Sequence, residues 1–228
     1  MPELAGLTSP EAAEQAAAGA LLAVPVGATE QHGPHLALST DTDLAVALCV
    51  GLARARPGVV VAPAVAYGSS GEHQDFPGTL SIGQDALELL LVELGRSAAM
   101  TFSKIALVSA HGGNAAVVRR AESRLRAESR EVLAWQVAWR GDAHAGRTET
   151  SLQLALAPSQ VHLDRAEAGN VRPIAELMPA LRASSVRAVS PNGVLGDPAG
   201  ASAEEGAALL SALVTDLAAA VERWCGSA

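Results

Sequence analysis

Four short apolar runs, separated by longer stretches of helical period, constrain the fold of this chain more than any other feature. The runs are ALLAVPV (20–26), VVVAPAV (59–65), KIALVSA (104–110) and VLAWQVA (132–138). Each is almost continuously hydrophobic, as strands are when helices cover both faces of a parallel sheet. Segments 42–55, 83–100 and 115–129 carry helical periodicity, and 203–223 closes the chain as an Ala/Leu helix. Strand and helix in alternation predict an α/β fold with a mostly parallel central sheet. A short helix is expected near the N-terminus, with Ser9 as its cap and Pro10 in its first turn. No repeat, linker or composition break divides residues 1–228, so one domain is expected.

Composition narrows the partners. Hydrophobic residues are 49 % and charged residues 18 %, which suits a packed domain, and with aromatics at 3 % the core must be Ala, Val and Leu. A net charge of −8 argues against nucleic acid, because backbone binding needs clustered cations. The arginines of 119–130 interleave with Glu122, Glu128 and Glu131 and read as a solvated helix face. No apolar run approaches the length of a membrane span and no signal peptide is evident, so the expected location is the cytoplasm. Cys49 reads as a small core residue and Cys225 as part of a C-terminal tail. Neither usual phosphate-cradling glycine motif occurs.

The histidines then fall into a pattern. His32 and His35 follow the first candidate strand in EQHGPHLALSTD (30–41), and His73, His111 and His144 follow the second, third and fourth. Five of the six therefore lie just beyond the carboxyl end of a strand, the edge at which open parallel sheets bind ligands. Histidines kept only for packing would scatter. The pattern predicts one composite site.

The neighbouring residues suggest its chemistry. Glu30 and His32 are two apart, so in an extended segment they leave the same side of the chain. Asp41 comes at the entrance of the 42–55 helix, where the helix dipole favours a carboxylate. The glycines of HGGN (111–114) allow close backbone approach, and Asn114 is placed to cap the next helix. Glu149 lies five residues after His144 in HAGRTETS, and on one helix the two would diverge by roughly 140°. They converge only if His144 and Gly146 lie in a loop and Glu149 opens a helix. Imidazole and carboxylate without thiolate suit Zn, Mn or Fe(II). Three carboxylates and two imidazoles suffice for two divalent ions if one carboxylate bridges, and Asp41 is the candidate bridge. Two ions about 3.5 Å apart would trap a hydroxide and polarise a carbonyl, which favours hydrolysis of an unactivated amide.

Plainer roles stand beside these. Glu30 and Asp41 are also the kind of carboxylate found in ordinary loops, and for His35 and His73 structural hydrogen bonding is as well supported as a direct role. Asp197 reads as a turn residue, and Met100, Met178, Trp135 and Trp139 read as packing. A binding module that keeps the fold without catalysis is the reading from a different class, and decay of that kind would normally remove a ligand.

The stretches VPVGATEQHGPHLALSTDTD, YGSSGEHQDFPGTLSIG, SAHGGN, DAHAGRTETS and GVLGDPAGASAEEG resemble the creatininase (creatinine amidohydrolase) family. The resemblance implies a three-layer α/β/α fold and a dinuclear centre with two divalent metal ions per subunit, Zn and/or Fe(II), with Mn a further option. It also implies a homo-oligomer, often a hexamer. By motif it places metal ligands on Glu30, His32, Asp41 and His111, with Asp41 bridging, and the catalytic histidine on His144. Creatinine-hydrolysing members carry another glutamate ligand two positions after the histidine matched by His111. Gly113 stands there instead, and Glu149 is the candidate replacement, counted with both the ligands and the reacting groups. Arg147 replaces a glutamate of many relatives and is expected to tune the substrate pocket.

The segment AGNVRPIAELMPALRASSVRAVSPNGVLGDP (168–198) narrows the resemblance to the branch of mycofactocin biosynthesis. That branch implies a metal-dependent peptidase acting on a modified ribosomal precursor peptide, releasing its C-terminal crosslinked Val-Tyr-derived core. A creatinine or formamide amidohydrolase of the same family is the alternative.

Overall fold

A computed structural model of the chain describes residues 3–138 and 141–226. Trp139, expected to pack, lies outside the described residues. Among the described residues four parallel strands, β1 (Leu21–Val26), β2 (Val59–Val61), β3 (Lys104–Ser109) and β4 (Glu131–Gln136), pair in the order β2-β1-β3-β4. The helices are α1 (Ser9–Ala17), α2 (Thr40–Ala55), α3 (Gly83–Ala98), α4 (Ala115–Ala127), α5 (Arg147–Leu156), α6 (Ile174–Ala183), α7 (Val186–Val189) and α8 (Ala203–Gly226).

Alternate side chains of each strand enter opposite cores, which makes the fold a three-layer α/β/α sandwich. Leu22, Val24, Val26, Ile105 and Leu107 pack with Leu87, Leu91, Val117 and Leu125 of α3 and α4. Leu21, Ala23, Ala106 and Val108 pack on the other face with Leu44, Leu48 and Leu52 of α2 and Leu217 of α8. β1 and β2 are buried throughout and β3 but for Lys104, which is why these strands read as unbroken apolar runs, while β4 at the edge is only partly covered.

Several boundaries differ from expectation for local reasons. The run 59–65 is a strand only to Val61, since Pro63 cannot donate to a ladder. Pro25 is nevertheless accommodated in β1, an interior strand. The carbonyls of Ala23 and Pro25 accept from Ala62 and Val65, so the missing N–H of Pro25 faces the side where β2 has already ended. The cap of α1 is Thr8 rather than Ser9, its N–H and hydroxyl both reaching the Glu11 carboxylate at 2.6 and 2.7 Å. Cys225 belongs to α8 and not to a tail. Helix α6 contains Pro179, which hides its period in the sequence.

Candidate metal centre

All five strand-end histidines are buried at the carboxyl edge of the sheet, and the sixth, His162, is exposed. His73, His111 and His144 line a cavity of about 620 Å³ together with Asp41, Glu72 and Glu149. The loop after β1 doubles back on itself: the Glu30 N–H donates to the Leu38 carbonyl at 3.1 Å, and Thr42 Oγ1 donates to the Ala28 carbonyl at 2.9 Å. This folding brings Glu30 and His32 beside Asp41, which is buried in the first turn of α2 rather than at its entrance. His111 follows β3 directly. His144 lies in a segment paired with Leu195, its N–H donating to the Leu195 carbonyl and its carbonyl accepting the Leu195 N–H. Gly146 precedes α5 and Glu149 sits in its first turn, the loop-to-helix arrangement that convergence of His144 and Glu149 requires.

Asp41 stands between two imidazoles. Its Oδ1 lies 3.6 Å from His32 Nε2, and its Oδ2 lies 3.4 Å from His111 Nδ1. Glu30 Oε2 is 3.2 Å from His111 Nε2, and Glu149 Oε2 is 3.9 Å from His32 Nε2. Two sets of donor atoms, Glu30/Asp41/His111 and His32/His144/Glu149, each lie within 4.8 Å of one another. A carboxylate that turns one oxygen towards each set has the geometry of a bridge.

The donor set fits divalent ions. Among the described residues, both oxygens of Glu30, Oδ2 of Asp41 and Nε2 of His32 are buried with no hydrogen-bond partner. Such groups are costly unless a charge compensates them. The His32 Nδ1–H donates to the Glu30 carbonyl at 3.2 Å, leaving the Nε2 lone pair turned inward. The field says the same. Burial disfavours a charged His32, yet Asp41 and then Glu149 and Glu30 outweigh it and raise its pKa to about 10. His111 is likewise raised against its burial by Glu30 and Asp41, and these two rings hold Asp41 well below the usual carboxylate range although burial alone would raise it. Three buried carboxylates draw positive charge to this point, and cations of the kind these ligands suit would displace the ring protons.

Other expectations met different outcomes. His73 joins the cluster, its Nε2 3.5 Å from Glu30 Oε1, whereas His35 turns away and pairs with Thr150 Oγ1 at 2.8 Å. Arg147 does not tune the cavity. Its guanidinium pairs with Glu205 at 2.9 Å and ties α5 to α8. Asn114 takes the cap position, but its side chain accepts the Ser69 N–H and donates to the Gly27 carbonyl, both at 2.9 Å. Asp197 is a turn residue, accepting the Ala199 N–H at 2.9 Å. Trp135 is buried, with its indole N–H on Asp216. Met100 is 86 % exposed and packs little, and Met178 lines the cavity. Two residues escaped the sequence reading: Glu72, on the cavity wall 3.8 Å from His111 Nε2, and Gln31, between two expected ligands. Gln31 was legible only as a polar residue inside a motif.

A family model described as creatinine amidohydrolase matches residues 5–221. The chain belongs to the creatininase family. Among its relatives, a mycofactocin precursor peptide peptidase of Mycobacterium ulcerans (strain Agy99) is 48 % identical, the match covering 88 % of this chain and 84 % of that one. The peptidase of the same description from Mycolicibacterium smegmatis (strain ATCC 700084 / mc(2)155) is 49 % identical over 90 % and 85 %. A solved manganese creatininase superposes with a TM-score of 0.82 at 28 % identity, covering 96 % of this chain and 97 % of that one. A zinc–zinc mutant creatininase gives 0.80 at 27 %, over 96 % of each chain. Within this creatininase fold Gly113 has no room for a side chain. A Cβ there would press on the Ser69 carbonyl and His111 Nε2 and lie 2.7 Å from Glu72 Oε1.

Proposed function

We propose that this creatininase-family hydrolase is a metal-dependent peptidase of mycofactocin biosynthesis, cutting a modified ribosomal precursor peptide to release its C-terminal crosslinked Val-Tyr-derived core. The observation that carries the metal chemistry is the buried set Glu30, Asp41 and His32, whose Oε1, Oε2, Oδ2 and Nε2 atoms have no hydrogen-bond partner among the described residues, with Asp41 lining the cavity. Its assignment to a peptide rests on the 48 % identical relatives and on the cavity wall. Opposite the charged floor, Ile174, Met178 and Leu181 of α6, with Val186 and Leu195, make that wall apolar. The α6–α7 segment is fastened over the site, with Ser185 Oγ donating to Asp75 at 2.6 Å and Arg187 lying 4.9 Å from the Phe76 ring centre.

In this reading Glu30, Asp41 and His111 would hold one ion, and His32 and Glu149 the second, with Asp41 placed to serve both. Zinc, iron(II) or manganese at these ligands supplies Lewis acidity towards a carbonyl and an acidified water. Glu149 is braced for the task by the Ala145 N–H, and burial lifts its pKa to about 7. The Nε2–H of His144 donates to the Gln31 carbonyl at 2.8 Å, so its Nδ1, 3.8 Å from Glu30 Oε1, carries the lone pair. There it takes the proton released as water adds to the scissile carbonyl and hands it to the departing nitrogen. The wall of α6 excludes bulk water and seats apolar substrate side chains. The homo-oligomer implied by the family would give exposed Leu38, Tyr67 and Leu80 a partner surface.

Mass spectrometry of the modified precursor peptide after incubation with metal-reconstituted protein tests the proposal, with creatinine and a formamidopyrimidine assayed alongside. Release of the C-terminal core is expected. Turnover of creatinine alone would remove the peptidase assignment.

A further inference from the structure

Besides the two sets around Asp41, Glu30 forms a third with His73 and His144, whose donor atoms also lie within 4.8 Å of one another. Hydrogen bonding around Gln31 decides what that third set can do. The Gly33 N–H donates to Gln31 Oε1 at 2.9 Å, which fixes the orientation of the carboxamide. Its amide nitrogen then lies 2.8 Å from His73 Nδ1, 3.1 Å from the Gly193 carbonyl and 3.0 Å from His144 Nε2. A carbonyl cannot donate, so His144 Nε2, 2.8 Å from the Gln31 carbonyl, must bear a proton and offers the amide nothing to donate to. The two amide hydrogens therefore go to the Gly193 carbonyl and to His73 Nδ1. A flipped carboxamide would set oxygen against the Gly193 carbonyl and NH₂ against the Gly33 N–H. Gly193 makes room for this arrangement, for at φ +82° a Cβ there would overlap the Gln31 carboxamide.

With Nδ1 accepting, the proton of neutral His73 sits on Nε2, 3.5 Å from Glu30 Oε1. We propose that Gln31 is a positioning residue that fixes the tautomer of His73, turning a protonated Nε2 towards Glu30 and leaving His73 no free lone pair for a metal. The third set is then not a metal site. Glu30 keeps Oε2 towards His111, and the ions are confined to the two sets that Asp41 stands between, one oxygen facing His111 and the other His32. This inference rests on the metal-centre reading above but not on the identity of the substrate.

The test is a long-range ¹⁵N–¹H correlation spectrum of zinc-loaded, histidine-labelled protein, assigned with His73→Gln. In the unmutated protein His73 is expected to be unprotonated at Nδ1, protonated at Nε2 and free of zinc. Gln31→Glu replaces the donor by an acceptor, so His73 Nδ1 should become protonated. In that variant kcat should fall at least tenfold with KM unchanged. An unmutated His73 that binds zinc or carries its proton on Nδ1 would overturn the proposal, as would a Gln31→Glu protein whose His73 Nδ1 stays bare. Should Gln31→Glu fail to fold, the spectrum of the unmutated protein decides alone.

Discussion

Asp41 has to offer each of its oxygens to a different imidazole while staying ionised in a dry interior, and its place in the first turn of α2 helps with both. The turn is fixed by backbone geometry, and the amino end of a helix favours negative charge. Glu30 has no such support and relies on the surrounding rings. Side chains in these positions should separate metal binding from proton transfer. His111→Ala is expected to lose metal and activity together, because it contacts both Glu30 and Asp41. His144→Ala should keep its metal and lose about 10²–10⁴-fold in turnover, the range for a single acid–base group. Elemental analysis beside kcat separates the two, and equal metal with full activity in either variant would remove these roles. Gly113→Ala is a packing test. Its methyl must displace the Ser69 carbonyl or the His111 ring, so a loss of about 1–3 kcal/mol in denaturant unfolding is expected.

The elements serve the site through the loops they anchor. Asn114 links three of them, joining the end of β1 to the loop after β2 from the start of α4. Asn114→Ala would leave the Ser69 N–H and the Gly27 carbonyl unpaired in a buried place, at about 1–3 kcal/mol for each group. Urea titration should show the loss as a lower midpoint with an unchanged slope. Helix α6 supplies the apolar wall, so Met178→Ala should raise KM for the precursor peptide about tenfold, within the range for altered hydrophobic pocket contacts. An unchanged KM would separate Met178 from substrate binding. The strands and the long helices were legible because period and burial agree along them. Helix α6 was not, since Pro179 interrupts its period and many of its side chains face the cavity or solvent instead of a core.

For the whole molecule the proposed metal centre would also be a stability device. Any ion that binds only the folded chain stabilises it, by about 2.7 kcal/mol at a free concentration one hundred times its Kd. Chelation should therefore lower the calorimetric Tm, and restoring zinc or manganese should recover it. A Tm indifferent to chelator would mean that the buried carboxylates are compensated in another way. Short apolar runs in a helical frame determined the parallel sheet, because strands covered on both sides have no polar face to conceal them. Histidines after successive strands determined the edge at which the site would form, since a parallel sheet brings all its carboxyl ends together. Tertiary structure alone decided the rest. Whether His73 is a ligand depends on where Gln31 sends two hydrogens, and whether Arg147 reaches the cavity depends on Glu205, 58 residues away in the chain. Those outcomes follow from partners that meet only in the folded state, and spacing along a sequence carries no record of them.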